Sequence, residues 1–365
     1  MKCVCKKDHL RSAIALSEKM TGKYLALPVL GTTLLVVEGG TVTVRATNLD
    51  IGIEISIPAT ITDGGVVAVP GSVISSLLSN LQSEDVILEL DDHKNLIITT
   101  PHTSARIKTH PHEDFPNLPT VAEKNSFSMN IDTFVSALRS VVYSASLSDI
   151  KPELSSVFLY TDGPVLICAA TDSFRLAEKR VPLPDKEKDF SLLIPHKNIQ
   201  ELIRVFDGRS GVMKIFFDDN QAVFQTDGVY LTSRLVEGVF PDYKQIIPKE
   251  FGTEAVILKH DLLNAVKITN LFSDKFNKIT ITITPSKKLC AVSSFNADVG
   301  ENKTTLDAAI SGDDTQLNFN HKYITDCFQS ITSDSVSLQV SGGRLLIIKN
   351  VGDPSFTYLL MPLNQ

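Results

Sequence analysis

The chain repeats itself, and the repeat limits the fold more than any other feature. Three stretches run from a short apolar segment into an acid and then onto an apolar, alanine-bearing helical face. They are Asp8-His-Leu10-Arg-Ser-Ala13, Asp132-Thr-Phe134-Val-Ser-Ala137 and Asp261-Leu-Leu263-Asn-Ala265. Their acids stand 124 and 129 residues apart. An acid there is expected to cap exposed amides and to face the positive end of the helix dipole. A second set of landmarks has the same period. Val69-Pro70, Ile194-Pro195 and Phe319-Asn320 are each 125 residues from the next, and each precedes an amphipathic stretch, Ser72–Leu81, Lys197–Phe206 and Lys322–Ile331. Two alternating runs with an Asp/Asn/Gly turn follow each stretch, which is the hairpin signature. The pairs are Val86–Leu90 with Leu96–Thr100, Val212–Phe217 with Gln221–Gln225, and Val336–Val340 with Arg344–Lys349. A third landmark, Asp114-Phe-Pro-Asn117, recurs 125 residues on as Val239-Phe-Pro-Asp242.

Together these place three similar α+β domains in one chain, at 1–122, 123–249 and 250–365. Each is expected to hold two short helices and about eight strands, mostly in antiparallel sheets. A repeat of fixed period assembles side by side, so a curved or ring-like oligomer is expected.

The motifs of common enzymes are missing. There is no G-x-x-x-x-G-K-[ST] loop, no G-x-G-x-x-G and no G-x-S-x-G elbow. Among the eight histidines only His110-Pro-His112-Glu113-Asp114 clusters, and its proline-broken spacing reads as a surface loop, not a metal site. Asp172 in Thr171-Asp-Ser-Phe-Arg175 has no histidine at a useful spacing. Asp218-Asp219 and Asp313-Asp314 read as turn acids. The five cysteines are scattered, and Cys3 and Cys5 would share one buried face of a strand. No cofactor, no metal and no catalysis are therefore expected.

The longest uncharged stretch, Gly64 to Ser83, contains Pro70, Gly71, Asn80 and five serines, so it is not a membrane span. Lys6, Lys7 and Asp8 stand where a secretory signal needs an apolar run, which makes the cytoplasm the expected compartment.

The formal net charge of −7 argues against a protein that coats nucleic acid all over. The helical segments differ from the whole. Arg11, Lys19, Arg139, Lys197, Arg204, Lys267 and Lys322 balance seven acids there, and Lys23, Lys275 and Lys278 lie just beyond. Those faces are neutral on an acidic chain, which suits either solvated helices or a weak phosphate-facing surface.

The residues also carry a family resemblance along the whole length. Its most specific stretch is Ser233-Arg-Leu-Val-Glu-Gly-Val-Phe-Pro-Asp-Tyr243 with Ile246-Ile-Pro248. Leu27-Pro-Val-Leu-Gly31, Asp114-Phe-Pro-Asn117, Pro152-Glu-Leu154, Thr171-Asp-Ser-Phe-Arg-Leu-Ala177 and Met361-Pro-Leu363 follow the same order. In these the chain resembles the bacterial DNA polymerase III β subunits, the sliding clamps. The resemblance implies a homodimeric ring of six domains around double-stranded DNA, with helices lining the hole and no preference for sequence. It implies a processivity factor without catalysis, a non-catalytic subunit of the replicative polymerase.

It further implies a groove, between the second and third domains, for short peptides of the polymerase subunit, the clamp loader and other clamp-binding proteins. Carried over position by position, the groove is Lys151, Leu154, Thr171, Ser173, Phe174, Arg175, Leu176, Pro241, Ile246, Tyr323, Leu359, Leu360, Met361, Pro362 and Leu363. Lys151 and Arg175 would meet a peptide's polar groups, and Leu363 would project into the groove. The DNA-facing set is Arg11, Lys19, Lys23, Arg139, Lys197, Arg204 and Lys267. The dimer would close through Ala105 and Ile107 of one chain and Leu271 and Phe272 of the other. The chain departs from the family in four places. Ser173-Phe174 replaces a common Gly-His, Gln245 stands where a basic residue is common, Ser72–Leu81 lacks basic residues near its start, and Lys23 is one position off the usual arginine of the first-domain loop. On the residues alone, without the resemblance, the aliphatic tail reads as finishing a sheet. The alternative function is a peptide-binding scaffold of the same fold that does not encircle DNA.

Overall fold

The computed structural model describes residues 1–22, 27–123, 125–183, 189–342 and 344–363. Six α-helices of these residues recur in the order the repeat requires: α1 (Lys7–Glu18), α2 (Gly71–Asn80), α3 (Ile131–Arg139), α4 (His196–Phe206), α5 (Lys259–Asn270) and α6 (His321–Cys327). Each of α1, α3 and α5 follows directly on a strand. In α1 the buried side chains Leu10, Ala13, Ile14 and Ser17 fall at i, i+3, i+4 and i+7, one stripe of a 3.6-residue helix. Burying such a leucine or isoleucine contributes roughly 1.5–3 kcal/mol.

The acids Asp8 and Asp261 do not stand at the cap positions of α1 and α5. The residues preceding α1 and α5, Lys6 and Leu258, make no side-chain cap. Asp8 and Asp261 lie inside the first turn, where they act through the helix dipole. Asp8 sits 3.4 Å from Lys7 Nζ and 3.7 Å from Arg11. Before α6, Asn320 accepts a bond from a first-turn amide, that of Lys322.

The described chain forms two compact units that cut across the repeat. The first comprises Met1–Asp132 and Lys197–Leu235. Its sheet runs in the order Thr103–Ile107, Leu96–Thr100, Asp85–Leu90, Lys2–Lys6, Ile51–Asp63, Val229–Arg234, Gln221–Thr226, Val212–Phe217 and Ser126–Asn130. The 13-residue strand Ile51–Asp63 makes this continuity possible. Its last residues pair with Lys2–Cys5, and its first, Ile51 to Ile55, pair with Ser233 to Val229. Thr33–Glu38, Thr41–Thr47 and Gly65–Val69 branch from the same strand. Helices α1 and α2 pack together here. Cys3 and Cys5 both point inward, as their alternation requires, and burial pushes their thiols up to about 11 and about 12.

The second unit comprises Thr133–Pro184, Asp189–His196 and Val236–Gln365. Its larger sheet runs Ser191–Pro195, Ser156–Asp162, Val165–Thr171, Arg175–Pro182, Asp353–Leu360, Leu345–Asn350, Ser335–Ser341, Thr253–Leu258 and Ala308–Gly312. A four-stranded sheet, Gly300–Leu306, Leu289–Asn296, Lys278–Thr284 and Thr315–Asn320, completes it. Here too a strand of the central repeat joins one from the end of the chain, with Arg175 to Lys179 opposite Leu360 to Phe356. That junction carries the site described next.

Among the described residues no helix is long and apolar enough to cross a membrane.

Candidate functional site

A tight turn, Thr171 to Arg175, links two strands of the second unit, and its own side chains hold it. Asp172 Oδ1 accepts the amides of Phe174 (2.9 Å) and Arg175 (3.0 Å). Thr171 Oγ1 donates to the Arg175 carbonyl (2.7 Å) and accepts the Ser173 amide (3.2 Å). This is the Asx turn that aspartate favours. It spends the carboxylate of Asp172 on structure. Ser173 pays in backbone strain, with φ at +77°, a region that suits glycine. Ser173→Gly is therefore expected to stabilise the protein by about 0.5–1 kcal/mol, read as a raised urea midpoint. An unchanged or lowered midpoint would show that the turn carries no such strain.

Arg175 leaves this turn with its guanidinium enclosed. Nε donates to Asp172 Oδ2 (3.0 Å) and Nη1 to Asp326 Oδ2 (2.6 Å). The group stacks 4.5 Å from the Tyr323 ring centroid and 5.9 Å from that of Tyr143. It is a clasp between the turn and α6, not a free cation.

Beside the clasp opens a cleft of about 370 Å³. Ten of the fifteen expected groove residues line it: Lys151, Leu154, Thr171, Ser173, Arg175, Leu176, Pro241, Ile246, Leu359 and Met361. Five do not. Phe174 is 58% exposed and outside the lining, and its carbonyl accepts the Met361 amide (2.9 Å). Tyr323 lies against Arg175, and its carbonyl accepts the Tyr358 hydroxyl (2.8 Å). Leu360 is fully buried, next in the strand to Leu359, so the two-residue period sends them to opposite faces. Pro362 is half-buried and lies two residues beyond the end of the last strand at Leu360. Leu363 is outside the lining, and its backbone amide donates to the Asn318 carbonyl (2.8 Å), which ties the tail to the strand Thr315–Asn320.

Glu153, Asp242 and Tyr243 also line the cleft and escape the sequence reading. Tyr243 anchors one wall. Its hydroxyl donates to the buried carboxylate of Glu178 at Oε2 (2.5 Å), whose Oε1 accepts from Arg180 Nε (2.8 Å). The Tyr160 hydroxyl lies 2.8 Å from that of Tyr243, and with the Tyr243 hydrogen committed, Tyr160 is the donor. Burial first, and the Glu178 charge second, hold the Tyr243 hydroxyl far above its ordinary pKa, so it remains a donor. Phe158, Phe240 and Tyr243 pack ring against ring behind the same wall. The signal was present in the sequence as two aromatics flanking Pro241-Asp242, with no mark of the carboxylate they meet.

The expected DNA-facing residues are all exposed where described. Arg11 lies on α1, Lys19 at its end, Arg139 on α3, Lys197 and Arg204 on α4, and Lys267 on α5. Arg11 and Arg204 also pair with acids of their own helices, Asp8 and Glu201. Lys23 lies outside the described residues. Of the expected dimer contacts, Leu271 is 70% exposed, Ala105 and Phe272 are half-buried, and Ile107 is turned into its own unit at 6%.

The crystal structure of the DNA polymerase sliding clamp from Bacillus subtilis superimposes with a TM-score of 0.94, over 100% of this chain and 99% of that one, at 23% identity. The architecture is that of a sliding clamp. In sequence, the beta sliding clamps of Synechocystis sp. and Staphylococcus aureus are 27% and 26% identical over 100% of this chain and 99% of theirs. Three DNA polymerase III beta subunit domains match in order, N-terminal over residues 1–119, central over 128–242 and C-terminal over 244–364. The chain belongs to the DNA polymerase III beta subunit family. It is a non-catalytic processivity factor of DNA replication, from a family that works as rings around DNA.

Proposed function

We propose that two copies of this chain close head to tail around duplex DNA, and that the cleft of the second unit tethers the proteins that work there. The threefold, in-order family match is the observation that carries the reading, since a ring of six similar domains needs three per chain. The domains are divided near residues 122 and 249, and the ring works in the cytoplasm. Arg11, Lys19, Arg139, Lys197, Arg204 and Lys267 meet phosphates weakly. Such contact carries no base readout and so permits sliding. Closure uses open sheet edges. Thr103–Ile107 ends the sheet of the first unit and Gly300–Leu306 ends the small sheet of the second, and each leaves a row of backbone groups to pair. Leu271 adds apolar contact, while Ile107 serves from within its own core.

The cleft takes short apolar peptide segments from the replicative polymerase subunit, the clamp loader and other clamp-binding proteins. Leu154, Leu176, Leu359 and Met361 give it an apolar floor, with methionine as the adaptable part.

Topology is the test. A ring assembled by a clamp loader on nicked circular duplex is expected to stay through gel filtration in moderate salt. It should run off once a restriction enzyme linearises the circle. Equal loss from both templates would mean that the chain grips DNA or does not encircle it.

A further inference from the structure

The cleft carries a charge pattern beyond its apolar floor. Lys151, Glu153, Arg175 and Asp242 are its charged lining. Arg175 is already shared between Asp172 and Asp326. Nearby Lys244 is also occupied, 3.1 Å from Asp162 and 5.2 Å from the Tyr160 centroid. Gln245 donates its amide to Asp242 and brings no charge. Around the cleft, the carboxylates of Glu153, Asp172, Asp242 and Asp326 therefore outnumber the cations of Lys151 and Arg175. Glu153 and Asp242 are in no ion pair of the described residues. Both are accessible, with Asp242 exposed and Glu153 half-buried.

We infer that the cleft selects apolar peptides flanked by lysine or arginine over the same peptides flanked by glutamate or aspartate. The inference rests on the reading of this cleft as a peptide site and adds the chemistry of the preferred partner. The apolar residues seat on the leucines and Met361, and the flanking cation settles near Glu153 or Asp242. An acidic flank meets the same carboxylates as repulsion, with only Lys151 uncommitted to offset it. Exposed pairs of this kind are individually weak, so attraction on one side and repulsion on the other together give a modest but measurable ratio. Screening erodes it, because the Debye length falls from about 10 Å at 0.1 M salt to about 3 Å at 1 M.

Three capped hexapeptides test this by calorimetry against the full-length protein. All share a Leu-Leu core, and the residues flanking it are lysine, glutamine or glutamate. The lysine peptide is expected to bind about three- to ten-fold more tightly than the glutamate peptide at about 0.05 M salt. The ratio should fall toward one at about 1 M salt. It should also fall in the double variant Glu153→Gln, Asp242→Asn. Equal affinity for all three flanks would overturn the inference, as would a preference that survives in the double variant. Failure of the uncharged glutamine peptide to bind would overturn the cleft reading itself, and the flank preference with it. Binding of the glutamine peptide without discrimination among flanks separates the two cases.

Discussion

Arg175→Ala is expected to lower the stability of the protein by about 3 kcal/mol, and a thermal scan should show it as a loss of the order of 10 °C. One guanidinium here satisfies two acids from different parts of the second unit, Asp172 in the turn and Asp326 in α6. Removing it leaves two carboxylates facing each other across the gap. Asp326 is 41% exposed and can rehydrate, which keeps the cost below that of a fully buried pair. Asp172 retains two backbone donors, but its charge loses its counterpart. Loss of the stacking on Tyr323 and Tyr143 adds about 0.5–2 kcal/mol. Arg175→Lys keeps the charge and is expected to recover less than half, because an ammonium cannot span both acids as a planar fork does. Full recovery by lysine would mean that charge alone matters. A wild-type melting temperature in Arg175→Ala would remove the clasp from the account altogether.

Local order was legible in the sequence, and order across repeats was not. The strands Leu96–Thr100 and Val212–Phe217 begin and end where alternation and turn residues place them. Asp218 accepts the amides of Asn220 and Gln221, the turn role that its setting suggests. These features depend on neighbours in the chain. The third late helix is different. The repeat predicts a helix over Lys322–Ile331, but α6 ends at Cys327 and tightens into a 3₁₀ turn, Phe328–Ser330. The tightening brings Ser330 Oγ to the Ser140 carbonyl (3.0 Å) and the Tyr143 hydroxyl (3.1 Å), partners about 190 residues away. Likewise, nothing in Ile51–Ile55 names Val229–Ser233 as its neighbour, since a strand edge offers the same backbone groups to any partner. The compact units therefore cross a repeat that was plain in the sequence. The cleft was visible only through family resemblance, and even that missed Glu153, Asp242 and Tyr243, which enter through tertiary packing.

The second large effect falls on that packing. Glu178→Ala is expected to cost about 2–4 kcal/mol and to weaken binding of an apolar peptide several-fold, although Glu178 does not line the cleft. The carboxylate is 4% exposed and bonded on both oxygens. Its removal takes the charged acceptor from the Tyr243 hydroxyl, leaves it only the Tyr160 hydroxyl as partner, and loosens the stretch Pro241–Ile246, which supplies one wall of the cleft. A wall that must be ordered at the moment of binding charges that entropy against affinity. Tyr243→Phe separates the parts. The ring still packs on Phe240, but Glu178 loses its tyrosine donor, so part of both losses should appear. Tyr160→Phe removes only the outer hydroxyl and should cost less than about 1 kcal/mol. Urea denaturation and peptide calorimetry on the three variants decide the matter. Affinity that falls in step along Tyr160→Phe, Tyr243→Phe and Glu178→Ala ties the wall to the buried carboxylate. Stability lost with affinity intact would mean that Glu178 supports the sheet alone, and that the wall is held by its aromatic packing.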